Sequence, residues 1–127
     1  MKKSKFSIQS RISSFRFAFN GLRILTTEEH NSRIHIFMAI QTIMIGSILH
    51  LSATEWMAIV FAIGFVFTTE ILNTAIENIA DFVSPERNQH IKKIKDLAAA
   101  SVLVSTLTSI AIGLIIFIPK LIELCSN

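Results

Sequence analysis

Residues 97–119 form a run of 23 residues without a single charged side chain, ending at Pro119 and Lys120. About 20 mostly apolar residues in a helix cross the hydrocarbon core of a bilayer, which is about 30 Å thick. The whole chain of 127 residues is 51% hydrophobic and only 17% charged, a composition too apolar for an ordinary small soluble domain. This run therefore predicts an all-α membrane protein with a single domain, residues 1–127.

Two further apolar segments predict additional spans. Residues 34–52 are mostly apolar and just long enough to cross a bilayer. A helix over residues 55–82 would be about 42 Å long, which exceeds the hydrocarbon core, so one end must project from the membrane. The sequence thus predicts three transmembrane helices per chain, at about residues 34–52, 55–82 and 97–119.

The N-terminal segment, within residues 1–33, has a different pattern. Apolar side chains recur at helical spacing on one stripe: Ile8, Ile12, Phe15, Phe19 and Leu22. Basic side chains flank this stripe at Arg11, Arg16 and Arg23. The pattern favours an amphipathic helix lying in the membrane interface over one packed on a protein core.

Basic residues are distributed unevenly around the predicted spans. Seven precede the first span: Lys2, Lys3, Lys5, Arg11, Arg16, Arg23 and Arg33. Four lie between the second and third spans: Arg87, Lys92, Lys93 and Lys95. Because positive charge favours the cytoplasmic side, the N-terminus and this second loop are predicted to be cytoplasmic.

Small residues recur every fourth position in the third span, at Ser101, Ser105, Ser109 and Gly113. Such a ridge allows close helix packing in lipid, within one chain or between chains. Three helices make only a small bundle, so an oligomer is expected. The only cysteine, Cys125, excludes an intrachain disulfide.

The sequence EILNTAIENIAD, residues 70–81, ends the second apolar helix with an acidic face. Glu70, Asn73, Glu77 and Asp81 share about a third of the helix circumference. Glu70 lies near the edge of the hydrocarbon, where an unpaired carboxylate is costly. This face is therefore a candidate functional site.

Other polar residues are predicted at the same level of the membrane. Glu28 and Glu29 precede the first span, and Lys95 and Asp96 open the third. Carboxylate oxygens suit Mg²⁺, and a lysine suits phosphate oxygens, so the set indicates phosphoryl transfer. Each element could instead be a solvated helix end. The four histidines (His30, His35, His50, His90) are scattered and are interpreted as interfacial or surface residues.

Two other functions are compatible with a small acidic membrane protein. An ion- or metal-conducting oligomer would use the carboxylates as a ring, but its acidic residues would be expected along the whole span. A non-catalytic scaffold would use the small-residue ridge as its interface, but it does not need Lys95 and Asp96 beside Glu70 and Glu77.

The motifs taken together resemble the prokaryotic diacylglycerol kinase family, which includes undecaprenol kinases. The resemblance rests on EILNTAIENIAD, a basic loop and KIKDLAAASV, and extends from Phe15, Ala18 and Gly21 through EHNSRIH to FIPKL. It implies a homotrimeric kinase of the bacterial inner membrane, with active sites between neighbouring chains. It also implies transfer of the ATP γ-phosphoryl group to a lipid hydroxyl with Mg²⁺. EHNSRIH and FIPKL favour undecaprenol over diacylglycerol as acceptor.

The resemblance also implies roles for individual residues. Glu70 would be the general base, and Glu77 with Glu29 would hold the metal, with Glu28 as the alternative to Glu29. The remaining candidates would contact nucleotide, substrate or phosphate, either directly or by orienting a basic group: Asn73, Asp81, Lys95, Asp96 and Arg16, with Arg11 as a further basic candidate.

Overall fold

The computed structural model describes residues 7–86 and 88–126, which form four α-helices. They are α1 (Ile8–Glu28), α2 (His30–Ile48), α3 (Ala53–Val83) and α4 (Gln89–Ser126). The predicted all-α class is confirmed. Phe6 and four of the basic residues used to predict orientation lie outside the described residues: Lys2, Lys3, Lys5 and Arg87.

Helices α3 and α4 are long and apolar enough to cross a membrane. Helix α2 does not meet this criterion in the described structure, because it ends at Ile48 and carries polar side chains such as Gln41 and Thr42. Two of the three predicted spans are therefore supported by length and composition. Most large apolar side chains of the chain are exposed, as expected where lipid or another chain covers them.

The longest interface in the fold joins α3 and α4, which run antiparallel. The Ser105 side chain is completely buried, and its hydroxyl lies 2.7 Å from the Thr69 hydroxyl. One turn along, Ser109 Oγ donates to the Ala62 carbonyl at 3.1 Å. These two members of the small-residue ridge therefore pack within the chain, where a larger side chain would separate the helices.

At the other end of the α3–α4 pair, where α3 begins, a capped turn stabilises the start of the helix. Ser52 and Glu55 form a capping box at the start of α3. α4 continues past Pro119 to Ser126, and Lys120 Nζ lies 3.2 Å from Glu55 Oε2 at the start of α3. Gly46, near the end of α2, packs closely against Leu51, whose Cδ1 would lie 2.8 Å from a Cβ at this position and would have to shift.

Helix α1 makes few contacts with the rest of the chain except near its C-terminus, where Leu25 is buried. Its apolar stripe is exposed at every position: Ile8, Ile12, Phe15, Phe19 and Leu22. The stripe is therefore not packed on this chain's own core. Arg33 donates to the carbonyls of Thr26 and Thr27 at 3.0 and 2.6 Å, and so fixes the corner between α1 and α2.

Substitution of Ser105 with Leu should separate α3 from α4. Forcing extra methylene groups into a filled interface costs about 1–3 kcal/mol. The variant should therefore unfold at a lower temperature in detergent micelles, as followed by circular dichroism. Thr108→Leu is the matched control, since Thr108 is exposed on the same helix. Equal unfolding temperatures for the two variants would contradict the tight α3–α4 contact.

Candidate functional site

The most buried charged side chain of the described residues is Glu70, at 2% exposure. It lies just past the middle of α3, soon after the apolar run that ends at Phe67. His35 Nε2, from α2, lies 3.0 Å from Glu70 Oε1. The structure thus pairs the carboxylate expected at the membrane edge with a group that compensates for its burial.

The contact between His35 and Glu70 sets the register of the antiparallel helices α2 and α3. In this register Ser32, three residues before His35, comes level with Asn73 and Thr74, three and four residues after Glu70. Ser32 Oγ, Asn73 Oδ1 and Thr74 Oγ1 are buried and have no hydrogen-bond partner among the described residues. Because buried polar atoms are normally satisfied, this cluster indicates a site that awaits a ligand or a neighbouring chain.

Two further carboxylates lie beside Glu70. Asn73 Nδ2 donates to Glu77 Oε1 at 3.2 Å, which orients Glu77 and leaves its second oxygen available. Glu29 sits at the non-helical junction between α1 and α2 and is half-buried, whereas Glu28 is exposed. Both Glu29 and Glu77 interact electrostatically with Glu70. The structure therefore brings together three of the predicted acidic residues.

The carboxylates of Glu29 and Glu77 offer oxygen atoms of the kind that a divalent cation such as Mg²⁺ takes as ligands. No group of three or more His, Cys, Asp or Glu side chains in residues 7–86 and 88–126 is placed to enclose a metal ion. Mg²⁺ commonly takes one or two protein carboxylates and completes its shell with water and phosphate oxygens. The carboxylates of Glu29 and Glu77 match that requirement.

Lys95 and Asp96 have different partners although they are adjacent. Lys95 Nζ lies 2.9 and 3.2 Å from the two carboxylate oxygens of Asp81. Asp96 accepts from Lys92 at 2.7 Å. The hydrogen bond to Asp81 raises the pKa of Lys95, which precedes the apolar run of α4, and Glu77 adds to this effect. Lys95 is thus positively charged and joined electrostatically to the acidic face of α3.

Arg16 of α1, a predicted nucleotide contact, has no contact with the acidic residues of this site in the described structure. Arg16 is exposed and makes no hydrogen bond or ion pair with any residue that the structure describes.

A cavity of about 430 Å³ lies beside Lys95 and Asp81, at the turn between α3 and α4.

An apolar groove of about 540 Å³ runs between α2, α3 and α4. Its walls include Val66 and Phe67 of α3 and Phe117 of α4, and His35 lines it beside Glu70. Long apolar substrates are commonly bound in such a groove, with a few polar groups to orient them. The groove and the acidic face therefore meet at the His35–Glu70 pair.

The interpretation of His35 as an interfacial or surface residue did not include its contact with a carboxylate. Its side chain is only 20% exposed and contacts Glu70. The sequence places His35 at the start of the first predicted span, but its partner depends on how α2 and α3 align. The signal was its position in EHNSRIH, six residues after Glu29, on the helix that follows the acidic pair.

Comparison with known proteins gives a consistent result. The family profile described as prokaryotic diacylglycerol kinase matches residues 16–117. A Bacillus subtilis protein named undecaprenol kinase is 39% identical over 108 residues, which cover 85% of this chain and 88% of that protein. A Synechocystis protein named diacylglycerol kinase is 32% identical over 112 residues, covering 87% of this chain and 64% of the relative. A Helicobacter pylori protein named diacylglycerol kinase is 27% identical over 108 residues. These matches favour the kinase hypothesis over a channel or a scaffold.

Proposed function

The chain belongs to the prokaryotic diacylglycerol kinase family of membrane lipid kinases, and on this basis we propose that it transfers the ATP γ-phosphoryl group to a membrane lipid hydroxyl. The observation that carries the proposal is the arrangement along α3. Glu70 is buried beside an apolar groove, Glu77 lies two turns further along α3, and both Glu77 and Glu29 interact electrostatically with Glu70. Lipid acceptor and nucleotide donor would approach this helix from opposite directions.

Each proposed role follows from what the side chain contacts. Glu70 takes the proton from the lipid hydroxyl. The hydroxyl oxygen bonds to the γ-phosphorus of ATP as the bond between that phosphorus and ADP breaks. Glu29 and Glu77 would hold Mg²⁺, which would neutralise phosphate charge. Lys95 leaves its ion pair with Asp81 when nucleotide binds, and contacts phosphate oxygens instead. Asn73 orients Glu77, and Asp96 orients the neighbouring Lys92. Arg16, with Arg11 as a further candidate, would reach nucleotide only if α1 is held against the acidic face.

The assembly we propose supplies what one chain lacks. A homotrimer with three spans per chain would cover the exposed apolar faces and place active sites between neighbouring chains. The N-terminus and the acidic end of α3 would face the cytoplasm of a bacterial inner membrane. The exposed stripe of α1 would then lie in the interface of the same leaflet.

We propose undecaprenol as the preferred acceptor, and diacylglycerol as the second candidate. The relatives named above carry both activities in their names, and the Bacillus subtilis protein is the more similar of the first two. Purified chain in mixed micelles is offered both lipids at equal mole fraction with γ-³²P-labelled ATP. More label should appear in undecaprenyl phosphate. Label only in phosphatidic acid would reverse this choice.

A further inference from the structure

One group in the site, His35, has no role in the function proposed above. Glu70 is almost completely buried, and a base must be ionised and correctly oriented to accept a proton. Among the described residues, His35 is the only basic side chain within 4.0 Å of the Glu70 carboxylate. An unpaired carboxylate at the edge of the hydrocarbon would be costly. The pair therefore needs an explanation beyond packing.

The other charged groups that interact with Glu70 are carboxylates of the same charge. Glu77 approaches along α3 itself, and Glu29 approaches from the junction between α1 and α2. Lys95 is directed to Asp81 instead. Among the described residues, the basic side chain placed to stabilise the Glu70 carboxylate is therefore His35 of α2, through Nε2.

We propose that His35 is a positioning residue for phosphoryl transfer, which holds Glu70 Oε1 so that Oε2 faces the acceptor hydroxyl at the end of the apolar groove. The inference rests on the proposed function, because it assumes that Glu70 is the base. His35 lines the groove and touches Glu70 at the same time, so it connects the lipid-binding surface with the reacting carboxylate. It contacts neither Glu77 nor Lys95, and it therefore acts on the acceptor side of the site.

The inference is tested with two substitutions that separate chemistry from packing. His35→Leu keeps side-chain bulk but removes the proton-donating nitrogen, whereas His35→Gln keeps an N–H donor. Losing this 3.0 Å polar contact with a charged group should lower kcat about 10- to 100-fold in His35→Leu. KM for Mg·ATP should stay within about twofold, because the nucleotide side is untouched. His35→Gln should recover most of kcat. His90→Leu is the control, since His90 is exposed at the start of α4.

Three results would overturn the inference. A folded His35→Leu variant with the wild-type kcat would show that Glu70 does not need this partner. Equal kcat losses in His35→Leu and His35→Gln, together with equally lowered unfolding temperatures, would indicate a role in folding alone. No transfer by folded wild-type chain would remove the proposed function and this inference together, whereas the first two results leave the function standing. If His35→Leu does not fold, His35→Met replaces it, with the same expected loss.

Discussion

Substitution of Glu70 with Gln should abolish lipid phosphorylation while leaving Mg·ATP binding largely intact. Glutamine keeps the size of the buried side chain but cannot accept the hydroxyl proton. Loss of a general base typically lowers turnover by about 10²- to 10⁴-fold. The measurement pairs labelled-phosphate transfer to lipid with equilibrium binding of a fluorescent ATP analogue, both on the same micellar preparation.

The control for Glu70→Gln is Glu123→Gln, which removes an exposed carboxylate near the end of α4. This control should keep both turnover and nucleotide binding. Equal losses of turnover and ATP binding in Glu70→Gln would contradict the division between an acceptor end and a nucleotide end of α3. Full turnover in Glu70→Gln would exclude Glu70 as the base.

Substitution of Glu77 with Gln should instead weaken the binding of ATP that depends on Mg²⁺. Glu77 is oriented by Asn73 and interacts electrostatically with Glu70 and Lys95. Removing one charged metal ligand should cost about a factor of 10 to 100 in apparent affinity for Mg·ATP, as for a lost charge-assisted contact. Binding of the ATP analogue is titrated at several Mg²⁺ concentrations in wild type and variant.

The expected signature for Glu77→Gln is a shift of the Mg²⁺ dependence to higher concentration. ATP binding without Mg²⁺ should change little, and Glu123→Gln should behave as wild type throughout. An unchanged Mg²⁺ dependence in Glu77→Gln would count against Glu77 as a ligand. The metal ligands would then have to be sought among other carboxylates.

Periodicity predicted much of the fold because helices repeat at a fixed rise and rotation. The run at residues 97–119 and the acidic face of 70–81 both lie on helices in the structure. The predicted proximity of Asn73 to Glu77 follows from the same geometry, since residues four apart are neighbours on a helix. These features depend on local conformation alone and are therefore visible in one sequence.

Features that depend on helix alignment were not predictable in this way. Lys95 and Asp96 are adjacent in sequence, but neighbours on a helix point in different directions, so Lys95 pairs with Asp81 on α3. His35 contacts Glu70 because α2 packs antiparallel on α3. The contact between Lys120 and Glu55 likewise joins the end of α4 to the start of α3. Each is a tertiary contact between residues far apart in the chain.

The central claim is that this chain is a Mg²⁺-dependent lipid kinase whose chemistry depends on Glu70. The most direct measurement incubates purified chain with γ-³²P-labelled ATP and a mixture of undecaprenol and diacylglycerol, with Mg²⁺ or with EDTA. The account predicts a labelled lipid phosphate with Mg²⁺, and none with EDTA or with Glu70→Gln. Folded wild-type chain that labels neither lipid in the presence of Mg²⁺ would contradict it.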